Sequence, residues 1–227
     1  SAKKVLITGG TGSLGRALIK RIKCLGWQII VYSRDEGKQA LYFGQDKDII
    51  RVVGDVRDLD KTDLDSVDYI AHLAFITNIP NSIKFPIETT YDNINMSAIL
   101  LKKAEASNVK KVIFSSTASL YGNNPIPWVE GMQADPIEPY SWQKLSCEYL
   151  FKMWYERYGL NTSTVRLYQV YGENQREDTA LAKFIKSKKE NIPITLTETT
   201  AQSTFRTGRR DFIYVKDVAK AFLATMI

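Results

Sequence analysis

Apolar residues fall along this chain in two alternating periods. Val5-Leu6-Ile7 is a continuous run of strand length, and behind it Leu14, Leu18, Ile19 and Ile22 recur at helical spacing. Further strands are predicted at 27–32, 49–53, 68–74 and 111–114, and a helix opens at Tyr91 with Ile99, Leu100 and Leu101 apolar. The stretch 75–90, carrying two prolines and several polar residues, reads as a loop, and 145–155 as another helix.

The junction of the first strand and helix holds three spaced glycines, Gly9, Gly12 and Gly15. Gly9 lets the chain turn sharply out of the strand, Gly12 lets the backbone approach a pyrophosphate, and Gly15 lets the helix pack closely on the sheet. The free N–H groups and positive dipole end of that helix would face the phosphates. A strand before and a helix after the glycines make a dinucleotide site the reading, against a glycine-rich turn that binds nothing.

In such a unit the second strand ends beside the adenosine ribose. Ser33 and Arg34 stand there, a hydroxyl and a guanidinium suited to a 2′-phosphate, so NADP is expected over NAD. Asp35 keeps NAD open, because an acid at this edge would accept from a free 2′-OH. After the third strand, Asp58 or Asp60 is a candidate cap for a short helix.

The fifth strand runs into Ser115-Ser116-Thr117, a hydroxyl cluster where a parallel sheet binds ligands. Downstream, Tyr140 and Lys144 are four residues apart, one turn on a helix face. The spacing matters chemically, since a phenol with a pKa of about 10 is a poor base near neutrality and a nearby ammonium favours its phenolate.

Together these stretches resemble the extended short-chain dehydrogenases/reductases, and within them the sugar-nucleotide 4-epimerases of the UDP-galactose epimerase type. The likeness rests on Thr8 to Gly15, Asp55, the Ser115-Ser116-Thr117 strand end, Tyr140 with Lys144, the stretch Arg166 to Gly172, and Arg210 to Ala219. It implies an α/β fold: a Rossmann doubly wound parallel sheet flanked by helices, residues 1–165, followed by a small or truncated substrate region at 166–227. It implies an enzyme in which Thr117, Tyr140 and Lys144 are catalytic. It implies that Gly9, Thr11, Gly12, Ser13, Leu14, Gly15, Asp55, Val56, Leu73, Ala74 and Asn95, with Tyr140 and Lys144, hold the dinucleotide. Thr117, Gln169 and Arg210 would then face a nucleotide-sugar-like substrate. Phe75 stands where relatives carry alanine, Gln169 where they carry asparagine, and the chain stops at Ile227, where they continue. Thr117 is followed by Ala118 rather than an acid, which favours epimerase or keto-reductase over dehydratase. A dinucleotide-binding protein without catalysis is the reading from another class.

Composition changes this picture little. Of the net charge of +6, the part from Leu181 onward supplies +5, but no stripe of aromatics accompanies it, so an anionic small ligand or a solvated face at Lys183, Lys186, Lys188 and Lys189 is expected rather than nucleic acid. Cys24, Cys147 and the single His72 are too few soft ligands for a zinc site, and His72 reads as structural. No run is long and apolar enough to span a membrane and no signal-peptide pattern opens the chain, so a cytoplasmic protein without membrane association is expected. The helices near 94–104 and 145–155 are candidates for a homodimer face.

Overall fold

A computed structural model of the protein describes residues 2–60, 62–194 and 210–227. Arg206 and Arg209 of the basic end lie outside the described residues. The chain opens with β1 (Lys4–Thr8), α1 (Ser13–Lys23), β2 (Gln28–Ser33), α2 (Glu36–Phe43) and β3 (Ile49–Val53). It continues through β4 (Tyr69–His72), α3 (Ile79–Lys84), α4 (Pro86–Glu105), β5 (Lys111–Thr117), α5 (Pro139–Tyr158) and β6 (Thr162–Leu167). These six strands form one parallel sheet in the order β3-β2-β1-β4-β5-β6. The order reverses between β1 and β4, and the crevice at the carboxyl ends of that pair is where such a sheet takes a ligand.

Helices on both faces account for the unbroken apolar runs of the inner strands. Leu6, Ile30, Ile70, Val112 and Phe114 point to one face and pack with Leu100, Leu101, Phe151 and Trp154 of α4 and α5. Val5, Ile7, Ile29, Val31, Ala71 and Ile113 point to the other, toward Leu18, Ile19 and Ile22 of α1. The remaining elements are β7 (Gln169–Tyr171), α6 (Ala180–Glu190), β8 (Phe212–Tyr214) and α7 (Val215–Met226). β7 and β8 pair as a separate two-stranded parallel sheet. α7 then returns to the main core, burying Val218, Ala219, Phe222 and Met226 with the α1 residues.

The stretch 75–90 departs from the expected loop. Both prolines occupy helix starts: Pro80 lies in the first turn of α3, which Asn78 caps, and Pro86 opens α4. A proline lacks only an N–H that the first turn leaves unpaired anyway, so here it marks a beginning. After β3, Asp55 rather than Asp58 caps the short 3₁₀ turn Val56–Asp58, accepting from Arg57 N. Asp60 and Asp63 exchange backbone-to-carboxylate bonds at the next turn.

Candidate active site

The glycine turn is built at the β1–β4 crevice. Gly9 adopts φ +67°, and a Cβ there would lie 2.7 Å from Ala74 N, so the turn and the end of β4 are in close contact. Gly15 is equally confined, but its near neighbour is the backbone of Gly10, at 2.6 Å from a notional Cβ; the close packing is within the turn and not on the sheet. Gly12 differs, because a Cβ there meets only Gly9 O, at 3.6 Å. It stands at the N-cap of α1 with no side chain bonding the first N–H groups. An uncapped helix start over an open glycine is a cradle for phosphate oxygens, so the residues present fit a dinucleotide. Thr11 lines the cleft beside Gly9, Leu14 packs half-buried on the core, and Ser13 Oγ donates to Glu173 O at 2.9 Å.

A buried relay fixes this corner. Thr8 Oγ1 accepts from Leu73 N and Ala74 N at 3.1 and 3.2 Å and lies 2.8 Å from His72 Nδ1. With its lone pairs so engaged the hydroxyl donates to Nδ1, which leaves Nε2–H to donate to Ser97 Oγ at 3.0 Å. Burial, with a smaller contribution from the charge of Lys144, pushes the His72 imidazole down to about 3, so it stays neutral.

The cleft continues from the turn to the ends of β2 and β3, a cavity of about 210 Å³. Ser33, Arg34, Asp55 and Val56 all line it. Ser33 Oγ accepts from Gln39 Nε2 at 2.9 Å, and Arg34 Nη1 stands 3.9 Å from Asp55 Oδ2. Asp35 also lines this cleft, and its Oδ1 accepts from Lys38 N as the cap of α2. Arg57 grips Asp55 through Nε and Nη2 and reaches Asp92 of α4 through Nη1. Those hydrogen bonds hold the Asp55 carboxyl down to about 2.

Thr117, Tyr140 and Lys144 come together at the end of β5. Glu138 caps α5 by accepting from Ser141 N, which sets Tyr140 in the first turn and Lys144 one turn deeper. The Tyr140 N–H donates to Ser82 Oγ of α3 at 3.2 Å, so the segment after β4 braces this helix start. Thr117 Oγ1 accepts from Ser119 N and donates to Ser119 Oγ, each at 3.1 Å. Burial pushes the Tyr140 phenol up to about 12, opposed by Thr117, while the charge of Glu138 adds to the rise and that of Arg176 pulls weakly against it. Lys144 is buried, and desolvation pushes its ammonium down to about 7.

Lys144 Nζ lies 5.8 Å from the Tyr140 ring centroid. Its Nζ donates to Ser115 O at 2.5 Å and lies over the Phe75 ring, 3.8 Å from the centroid, instead of reaching for the phenol. Arg176, paired with Asp178 and reaching Thr77 Oγ1 at 3.4 Å, adds the smallest of the contributions to the phenol, a pull toward the phenolate. Nothing in the periodicity of 172–178 singles Arg176 out.

Asn95 is part-buried on α4. The inward asparagine is Asn93, fully buried, accepting from Ile76 N at 2.7 Å and donating to Ile76 O and to Gln143 Oε1. Two residues farther on, α4 has rotated Asn95 by about 200°, away from this network. Gln143 in turn donates to Thr89 and Thr90, so α4, α5 and the segment after Phe75 are joined by amides. Placing Gln143 between Tyr140 and Lys144 was a signal available in the sequence. Gln169 is exposed on β7 with its backbone N–H bonded to Asp211 O, and Arg210 is exposed beside β8.

Comparison with known proteins gives one family, described as the NAD dependent epimerase/dehydratase family, matching residues 5–226. A UDP-glucuronate 4-epimerase of Thermodesulfobacterium geofontis is 32% identical over 162 residues, 71% of this chain and 48% of that protein. The chain therefore spans about half the length of that relative. A solved UDP-N-acetylglucosamine 4-epimerase of Methanobrevibacter ruminantium, in complex with UDP-N-acetylmuramic acid, superposes with a TM-score of 0.89 at 30% identity, covering 100% of this chain and 73% of that one. A UDP-glucuronic acid 4-epimerase of Bacillus cereus, in complex with UDP-glucuronic acid and NAD, superposes with a TM-score of 0.86 at 25% identity, covering 98% and 73%.

Proposed function

The chain belongs to the NAD dependent epimerase/dehydratase family, and from that membership we propose that it is the catalytic part of a nicotinamide-dependent sugar-nucleotide epimerase. The observation that carries the reading is the junction of Thr117, Tyr140 and Lys144 with the open cradle of Gly12 on one sheet edge. A bound nicotinamide dinucleotide supplies the acceptance and return of hydride at the sugar carbon. Gly9, Thr11, Gly12 and the start of α1 would hold its phosphates, Ser33, Arg34, Asp55 and Val56 its adenosine end, and Ala74 and Lys144 its nicotinamide end.

Tyr140, as phenolate, takes the proton of the sugar hydroxyl as the carbinol is oxidised and returns it when the opposite face is reduced. Thr117 holds that hydroxyl by a hydrogen bond. NAD is the proposed resident cofactor, supported by its presence in the Bacillus cereus neighbour. Arg34 at the end of β2 is the observation that favours NADP, and with it net keto-reduction. Residues 166–227 are proposed to contribute to the substrate region, with Gln169 and Arg210 toward the nucleotide. Exposed Ile87 and Tyr91 on α4 and Tyr149 and Met153 on α5 are the proposed homodimer face.

The test is conversion of a UDP-hexose to its 4-epimer by the purified full-length protein with NAD. Product formation without net NADH, lost in Tyr140→Phe, supports the reading; no conversion of any UDP-, dTDP- or GDP-hexose rejects it.

A further inference from the structure

The segment leaving β4 brings one aromatic ring against both members of the Tyr140/Lys144 pair. Lys144 Nζ lies 3.8 Å from the Phe75 centroid, 4.8 Å from that of Phe114 and 5.8 Å from that of Tyr140. The Phe75 ring meets Tyr140 edge-on, with centroids 6.0 Å apart and planes at 79°. It is fixed there, because Asn93 grips the following residue, Ile76, at both N–H and C=O. Phe75 also lines the dinucleotide cleft, so one ring borders lysine, tyrosine and ligand space.

The ammonium has little else to hold it. Its oxygen partner is the Ser115 carbonyl, and among the described residues no carboxylate is ion-paired to it. The charged and titratable groups that face it are few. Glu148, the next turn of α5, is engaged with Arg166. Cys147 is pushed up to about 11 by burial and stays a thiol, and His72 is neutral. A ring face attracts a cation through its quadrupole, and more strongly when water is excluded.

We propose that Phe75 is a positioning residue that holds the Lys144 ammonium by a cation–π contact, keeping the lysine charged and in place beside Tyr140. The proposal rests on the reading of Tyr140 and Lys144 given above. The contact acts on the protonated amine alone, so it opposes the desolvation that drives Lys144 down to about 7.

The test is the pH titration of the Lys144 Cε resonance in protein labelled with 13C-lysine, assigned with Lys144→Met. A midpoint about 3 units below that of ordinary lysines resolves it from the rest. Phe75→Leu keeps an apolar filler and removes the ring face; the midpoint should fall by about half to one and a half units. Site-specific 4-cyanophenylalanine at 75 keeps the ring's shape, weakens its face and should move the midpoint the same way, which keeps the test decisive if the leucine variant folds poorly. A midpoint that stays or rises in the folded variants overturns the proposal. Turnover is measured separately, so an inactive protein with a shifted lysine rejects the epimerase reading and leaves the role of Phe75 standing.

Discussion

Thr8 Oγ1 and His72 Nδ1, 2.8 Å apart, tie the end of β1 to the end of β4 at the point where the sheet order reverses. The imidazole is buried neutral, held down to about 3 by desolvation. Its folded pKa lies below the unfolded value of about 6.5, so the unfolded chain takes up a proton that the folded one refuses. The resulting stability is full above pH about 6.5 and is lost as pH falls toward 3, by at most about 1.4 kcal/mol per unit. Denaturant midpoints measured from pH 7 to 4 should fall steadily, and His72→Gln, though less stable at pH 7, should flatten that slope. Parallel slopes in the two proteins would refute the assignment.

Gly12 and Gly15 separate binding from folding. A side chain at Gly15 collides with the Gly10 backbone at 2.6 Å, so Gly15→Ala should lower the melting temperature by several degrees, about 1–3 kcal/mol. A Cβ at Gly12 meets nothing closer than 3.6 Å. Gly12→Val gives up a favourable N-cap glycine, about 1 kcal/mol, and its methyls should fill the phosphate cradle and weaken NAD binding at least tenfold. Calorimetric titration beside a thermal melt reads both, and undiminished NAD affinity in Gly12→Val would remove the phosphates from this turn.

Much of this architecture was legible because buried parallel strands are written as apolar runs and the glycine turn carries its own spacing. Val5-Leu6-Ile7, the helix behind it and the 49–53 strand all stand where the pattern puts them. What the pattern missed has two physical causes. The helices α3 and α4 begin at prolines, which a reading by composition takes for loop residues. The direction of a side chain is the other: spacing places Lys144 one turn from Tyr140, but whether its amine meets the phenol or the Phe75 face is decided by packing across α5, β5 and the segment after β4. Asn93 against Asn95 is the same lesson on α4, where two residues are enough to turn an amide away from the site.

Arg34 bears on cofactor choice. Its guanidinium is largely exposed and its nearest acid, Asp55, is 3.9 Å away and already gripped by Arg57. A loose exposed pair is weak, so little opposes its turning to a 2′-phosphate. Arg34→Ala should weaken NADP binding by about tenfold and leave NAD within about threefold. Equal losses for both dinucleotides, measured by quenching of protein fluorescence, would show that Arg34 supports the fold of the cleft and does not read the ribose.

Arg176 should set the pH at which Tyr140 works. The phenol is pushed up to about 12 by burial and further by the charge of Glu138; Thr117 opposes that rise, and Arg176 adds a smaller opposing pull. With the folded pKa above the assay range, the phenolate fraction rises about tenfold per pH unit, so turnover should climb between pH 6 and 9. Removing the guanidinium in Arg176→Gln raises the phenol further and lowers turnover by a similar factor at every pH on that limb, without bending it. Arg176→Lys keeps a charge in the same region and should recover part of the loss. If Arg176→Gln changed KM alone and left kcat on the parent's pH curve, the arginine would be acting on substrate and not on the phenol, and the electrostatic link between the loop after β7 and the start of α5 would be wrong.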